Sequence, residues 1–394
     1  GEKLHLFGGE IESKTYRINS TLHKKINSRH KLIAGVKYNL NNYDYFQVSK
    51  ETAQEQVLAD FDENIATLRS FIGWRFRLNE DITLVSGLHN MNVLYNKKHT
   101  IEPRAAIRWD VNSTNSLSLG YGMHSNMEKA HNYFARIYNE DGTWSRPNEN
   151  LDLLKAHHYV LGYEKQIGNK MMAKLEMYYQ DLYNLPVENN DTSYYSTINE
   201  GIDYNYVELV NEGKGKNYGV EFTLERFFNN NYYWMFNTSI FQSKYTALDG
   251  VERNTKFNSN YVVNLMGGKD FVNLGKKKNQ VLAVNVKAFF GGGEKIIPLK
   301  RDENGNLDVD PDNNQYYDYS KAYDNSIEDL YRIDLAVSYK WNKPKTTHEL
   351  FFDIYDLTGV QGKLQEYYDT SEDNNVGYNT QFGLFPNMMY RLYF

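Results

Sequence analysis

The chain of 394 residues has no cysteine, which removes disulfide staples and zinc–thiolate sites while leaving its compartment open. Proline is scarce, with 7 residues, and no Pro/Gly/Ser-rich stretch reads as an interdomain linker, so residues 1–394 read as one domain. Long apolar runs are missing too. Nowhere do the roughly eighteen consecutive apolar residues of a membrane-spanning helix occur. Barrel strands escape that test, because they are short and only every second residue is apolar. Nor is there a basic excess. Against 50 Asp and Glu stand 44 Lys and Arg, a net charge of −6, which speaks against nucleic acid as a partner. What the chain does hold is aromatic, 34 Tyr and 20 Phe, and such a composition excludes a disordered polypeptide.

Side chains alternate between two faces along much of the sequence, the signature of strands. In Arg332 to Trp341 the residues Ile333, Leu335, Val337, Tyr339 and Trp341 share one face, and Arg332, Asp334, Ala336, Ser338 and Lys340 share the other. Lys31 to Leu40, Ile65 to Leu78 and Tyr218 to Leu224 divide in the same way. Further strands are expected at Lys14 to Lys25, Ile82 to Tyr95, Arg104 to Val111, Ser116 to Ser125, His158 to Gln166, Met172 to Leu182, Tyr232 to Tyr245, Tyr261 to Asp270, Val281 to Phe290, His348 to Asp356 and Gly383 to Phe394. That makes about fifteen, many near the ten residues that cross a bilayer at a tilt. If the apolar face meets lipid, Leu335→Arg is costly, and Ser338→Arg on the polar face is better tolerated.

The connections carry as much information as the strands. Short polar turns at Asn27 to His30, Asn79 to Asp81, Asn112 to Asn115, Gly168 to Asn169, Asn229 to Asn231 and Asn342 to Lys345 alternate with long irregular segments at 43–64, 126–157, 183–217, 246–260, 291–330 and 358–382. Thr52 to Phe61 within the first of these has helical spacing, with Ala53, Val57, Leu58 and Phe61 on one face. Short turns at one end and long loops at the other describe an outer-membrane barrel, with the short set and the C-terminus in the periplasm. A propeller would show a repeat of about forty residues, and none is present. The fold class expected is therefore all-β, a transmembrane antiparallel β-barrel.

Candidate chemistry is thin. His157 and His158 are adjacent in a strand, point to opposite faces and cannot easily share an ion. Asp302, Asn304, Asn306, Asp308 and Asp310 resemble a calcium loop, but Leu307 stands where an EF-hand needs glycine, so an ordinary acidic loop is the plainer reading and a loop-ordering calcium the lesser one. Gly291 to Gly293 lacks the Lys-Ser/Thr sequel of a phosphate loop and fits a tight bend. No nucleophile, base and orienting group stand together, so no enzyme is expected.

Ile101-Glu102-Pro103-Arg104, Gly120-Tyr121-Gly122-Met123-His124-Ser125 and His158-Tyr159-Val160-Leu161-Gly162-Tyr163-Glu164 resemble the C-terminal barrel of Bacteroidetes TonB-dependent receptors. So do Asn184-Leu185-Pro186-Val187, Asn211-Glu212-Gly213, Asn217-Tyr218-Gly219-Val220-Glu221, Arg332-Ile333-Asp334-Leu335 and the terminal Tyr390-Arg391-Leu392-Tyr393-Phe394. The resemblance runs from about Lys14 onward and implies a barrel of about 22 strands closed by an N-terminal plug. With no initiator Met, no signal peptide and a start in mid-strand, the chain is expected to be the C-terminal part, the plug, the TonB-contacting segment and the first seven or so strands lying outside it.

The family implies import of a large or scarce nutrient, a glycan, peptide or metal chelate, captured by loops and plug and released inward when TonB displaces the plug. Outer-membrane lipid, TonB, a surface lipoprotein and the barrel assembly machinery are the partners that follow, the last reading Tyr390, Leu392 and Phe394 as an assembly signal. Tyr133, Phe134, Trp144 and Arg146 in one loop, with Tyr194, Tyr195, Tyr204 and Tyr206 in another, suit stacking on cargo, although aromatic girdles and loop packing use the same residues. Arg104, Arg108, Glu164, Glu221, Arg332 and Asp334 are expected to face the lumen, toward the plug or a polar solute, or to form a generic salt-bridged lining. Two other functions keep the same fold: a non-transporting docking subunit that offers its loops to lipoproteins, and a passive porin.

Overall fold

The computed structural model describes residues 7–394 apart from 50–55, 140, 202–204, 314 and 373. Fifteen strands follow one another in a single antiparallel path: β1 Phe7–Lys25, β2 His30–Ser49, β3 Gln56–Arg77, β4 Ile82–Val93, β5 Lys98–Asn112, β6 Asn115–Asn126, β7 Leu154–Ile167, β8 Met171–Glu188, β9 Leu209–Asn229, β10 Tyr232–Thr246, β11 Tyr261–Leu274, β12 Gln280–Gly291, β13 Leu330–Asn342, β14 Thr347–Tyr355 and β15 Phe385–Tyr393. Every expected strand is present. Each pairs with its neighbours along this path, β10 also holds the short strand Glu252–Asn254 at its loop end, and β1 and β15 form the two ends of the path.

Register turns the alternation into two walls. Ile107, Leu119, Leu161, Met177, Val220 and Ile240 lie directly opposite one another across β5 to β10, and all six are among the well-exposed apolar side chains. That row belongs to the outer wall. Three residues along, and so on the opposite face, Arg104, Gly122, His158, Gln180, Asn217 and Ser243 make the matching inner row. A side chain stands on one wall or the other by parity alone, so a one-residue slip would carry the apolar row to the inner side.

The strands are unequal in length. β2 has 20 residues and β3 has 22, whereas β14 and β15 have 9 each. At about 3.3 Å per residue, β3 runs roughly 70 Å, well beyond what a bilayer requires. Its surplus is the segment expected to be an irregular loop with a helix at 52–61. Instead Tyr43 pairs with Glu63 and Ser49 with Gln56, so 43–49 and 56–64 prolong the hairpin. Val57, Leu58 and Phe61 lie on β3, and Ala53 lies outside the described residues. The helical spacing loses because Tyr45 stacks on Phe61 across the ladder at 4.9 Å, a pairing only the extended form provides.

The other long connections carry small structures of their own. A five-residue helix, α1 at Ala130–Phe134, and two-stranded ribbons pairing Ile137–Tyr138 with Trp144–Ser145 and Lys363–Tyr368 with Val376–Thr380 sit at the end away from the short turns. Among the described residues no helix is long and apolar enough to cross a membrane.

Candidate functional site

The loop cluster is built on a dry core. α1 lays Tyr133 and Phe134 against Phe61, Ile65, Met91 and Leu153, and both aromatics are fully buried. Burial pushes the Tyr133 hydroxyl up to about 12. Tyr195 is buried in the same cluster, donating to Glu200 Oε1 at 2.5 Å. Burial alone would raise Glu200. Hydrogen bonds from His131, Tyr195 and Asn132 outweigh it and hold the carboxyl below its ordinary value. Tyr194 is stacked on Tyr319 at 5.1 Å, and Tyr206 donates to Gln47. These four tyrosines and Phe134 therefore hold the loops together rather than offering faces to cargo. Tyr204 lies outside the described residues. Trp144 stays open, 45% exposed, with the Arg136 guanidinium 4.4 Å from its ring, while Arg146 is held by Glu63 at 3.6 Å and by the Asp60 carbonyl at 2.8 Å.

On the inner wall the six expected residues all fall on the polar side, most of them in ion pairs. Arg104 binds Glu102 at 2.9 Å, Arg108 binds Asp110 at 2.9 Å and approaches Glu164 at 3.7 Å, and Arg332 binds Asp334 at 3.0 Å. Glu221 lies opposite Glu176, which Lys174 approaches at 2.6 Å. Two carboxylate hubs were not anticipated. Glu102 is a buried hub that also takes His89 at 2.8 Å and the hydroxyls of Thr100 and Ser125. Glu349, equally buried, gathers Lys340, Arg391 and the Tyr393 hydroxyl. Arg69, Arg75 and Arg77 line β3 on the same wall, legible as an alternate-position run of arginines once the outer face of β3 is set by Ile72 and Trp74.

Three hollows open along this wall among the described residues, one of about 480 Å³ over Glu176, Gln180, Asn217, Glu221 and Ser243, and two that adjoin toward the short turns. The upper, about 600 Å³, is bordered by Arg104, His124 and His158 over a floor that includes Gly73, Gly87, Gly120 and Gly122. At Gly122 a Cβ would stand 2.9 Å from His124 Nε2 and displace that ring, which lies folded against His158 with ring centres 4.4 Å apart. The lower hollow, about 490 Å³, is lined by Arg75, Arg77 and Arg108 with Glu80 and Asp110, and shares Val85 and Ala106 with the upper.

A meander of fifteen strands with an apolar outer row and a charged inner row has known counterparts. Residues 7–357 match the family model for "TonB dependent receptor-like, beta-barrel". The chain belongs to that family. No curated protein matches it by sequence. Among solved structures it is similar to the siderophore receptor PiuA from Acinetobacter baumannii (12% identity, TM-score 0.65, covering 98% of this chain and 56% of that one). It is likewise similar to the outer membrane transporter YddB from Escherichia coli (13%, 0.63, 98% and 55%) and to the ferric yersiniabactin uptake receptor FyuA from Yersinia pestis (10%, 0.62, 99% and 56%). The chain thus spans about half the length of these proteins.

As a receptor barrel of the outer membrane, it shows the expected aromatic belt at the short-turn end of its outer wall. Trp74 stacks on Phe76 at 5.2 Å and on His30 at 5.7 Å, and Trp341 stacks on His348 at 5.2 Å, with Tyr390 donating to or accepting from His348 Nδ1 at 2.6 Å. Tyr390, Leu392 and Phe394 are exposed along one side of β15. His157 and His158 do point apart, His157 to Tyr121 at 3.0 Å and His158 to His124. In the acidic loop Asp302 Oδ1 accepts the backbone amides of Asn304 and Asn306, at 2.9 and 2.8 Å, so this carboxylate closes its own turn. Among the described residues no three His, Asp or Glu side chains are grouped to hold a metal. Gly292 and Gly293 pass so near the Ser259 and Ile327 carbonyls that a Cβ would overlap them, at 1.8 and 2.0 Å, so this glycine run serves a close backbone approach where the sequence suggested a tight bend.

Proposed function

We propose that the chain is the barrel of an energised outer-membrane importer for a scarce nutrient, with metal chelates the first class to test among glycans, peptides and chelates. Family membership and likeness to siderophore receptors support the reading, and members of the family are receptors and transporters rather than enzymes. The observation that carries it is the inner wall: charged groups line it, and two connected hollows run along it toward the short turns. In this reading the long loops face outward and the C-terminus lies in the periplasm. Cargo meets the preformed loop cluster, where Trp144 with Arg136 is the open aromatic surface. It then passes inward when TonB moves a plug seated in the barrel. A surface lipoprotein would meet the loops, and the assembly machinery would engage Tyr390, Leu392 and Phe394 during insertion.

The test is uptake by cells carrying or lacking this protein, with and without a working TonB. Uptake of a labelled siderophore chelate that requires both supports the reading. Uptake that needs the protein but continues without TonB would point to a passive pore and overturn it.

A further inference from the structure

The cations of the inner wall fall into two populations. Those from β5 onward named above have carboxylates within reach, whereas those of β1 to β3 face one another. Lys25 lies directly opposite Lys31, and Lys31 directly opposite Arg75, so three cations share one row across three strands. Lys37 lies opposite Arg69 in a second row. Among the described residues none of Lys25, Lys31, Lys37, Arg69, Arg75 and Arg77 has a carboxylate within ion-pair distance, and the Arg69 Nε is buried without an acceptor. Like charges set directly across a ladder are unfavourable, and a guanidinium kept from water needs an acceptor.

This cationic field borders the lower hollow. Arg75 and Arg77 stand on one side of it and Arg108 on the other, with Arg77, Thr83 and Arg108 sharing a row. Two acids are present. Asp110 is bonded to Arg108, which leaves Glu80 as the carboxylate facing Arg75 and Arg77. Rows on a strand are about 7 Å apart and strands about 5 Å, so the three guanidinium groups originate from points roughly 7 to 12 Å apart. Guanidinium forks pair bidentately with carboxylates. The upper hollow leads here through Val85 and Ala106, past Arg104.

We infer that the lower hollow is a seat for a small solute carrying two or more carboxylates, the anion bridging Arg75 and Arg77 to Arg108 with Lys31 beside them. The inference deepens the importer reading and rests on it for how the anion arrives, since it names the charge class of the cargo. Carboxylates of a metal chelate or of a free organic acid present the same chemistry to these arginines.

Calorimetric titration of the purified full chain in detergent at low salt, with tricarballylate as probe and its neutral triamide as control, tests the seat. Tricarballylate is expected to bind, to weaken steeply as salt is added, and to lose at least tenfold in affinity in Arg75→Gln/Arg77→Gln, whose unchanged melting temperature shows that it folds. Equal binding of the triamide, or equal affinity in the variant, overturns the proposal. So does a wild-type protein that binds nothing while the double variant melts lower, because the arginines are then neutralised by an acidic polypeptide segment. An Asp110→Asn/Glu164→Gln variant, which removes both carboxylates near Arg108, is expected to bind at least as tightly as the wild type, and weaker binding argues against Arg108 as a contact. A ferric tricarboxylate chelate competing with tricarballylate identifies the chelate as the source, and a failure to compete assigns the seat to free organic acids. Binding is read without transport, so TonB-independent uptake would sink the importer reading while leaving the seat intact.

Discussion

The inner wall is charged along its whole course, yet its two ends solve the problem differently. Across β13 to β15, Arg332 pairs with Asp334 and lies 4.1 Å over the Tyr355 ring, while Lys340 and Arg391 flank the buried Glu349 at 3.4 and 3.5 Å. Across β1 to β3 the cations oppose one another. A salt-bridged lining is thus a fair description of one end and a poor one of the other. Charge that is neutralised within the wall serves the fold, and charge that is not is available to whatever enters.

The strongest way to break this contrast is to remove the centre of the neutralised end. Glu349→Leu strands Lys340 and Arg391 together, each still partly open to water, and leaves the Tyr393 hydroxyl without its acceptor, so it is expected to cost about 1 to 3 kcal/mol, read by denaturant unfolding in detergent. Next comes the division between outer and inner walls at the same end. Leu335→Arg, on the outer wall, should cost about 2 to 4 kcal/mol if the site lies near the membrane midplane. Ser338 was the expected tolerant position, but it is buried beside Glu349, where an arginine side chain has no room. Ala336 is the better inner control, because it lies opposite Asp353, whose Oδ1 has no hydrogen-bond partner. Ala336→Arg should cost under about 1 kcal/mol, and a cost matching that of Leu335→Arg would void the assigned walls.

At the opposed end, Arg75→Leu relieves the clash with Lys31 and should change stability by no more than about 0.5 kcal/mol, in either direction. A loss comparable to that of Glu349→Leu would erase the distinction between the ends. The smallest expected effect is a pH response in the loops. Glu200 is held below its ordinary value of 4.5, so its stabilisation is complete above that pH and fades as pH falls through the lowered value. Hydrogen exchange around 195–200 should therefore stay flat from pH 8 to about 5 once corrected for intrinsic rates, and accelerate only in stronger acid. Acceleration already at pH 6 would rule out Glu200 as the group responsible.

Strands were legible because lipid on one side and charge on the other impose a period of two, as in Ile333 to Trp341. Beyond the lipid, where one side packs under the loops and the other meets water, the contrast dissolves. Residues 43–49 and 56–64 therefore read as a loop although they continue the ladder. Ion pairs two residues apart on one strand, such as Arg332 with Asp334 and Arg108 with Asp110, follow from parity. Those around Glu349 join three strands and depend on register, which the alternation leaves open. Loop aromatics misled for a related reason. Tyr133 and Trp144 are indistinguishable in sequence, and only the packing of α1 onto Phe61 and Met91 separates a core residue from an exposed one.

Strict neighbour-to-neighbour order has a kinetic meaning. Each strand, once laid down, completes one ladder and leaves one edge, and the next segment of chain to arrive is the one that fits it. No strand waits on a distant stretch of sequence, so the long-range pairings that slow most β proteins are replaced by a succession of local closures. Growth can keep pace with delivery of the chain. β15 shows the same step, pairing with β14 from Thr347 opposite Tyr393 to Tyr355 opposite Phe385.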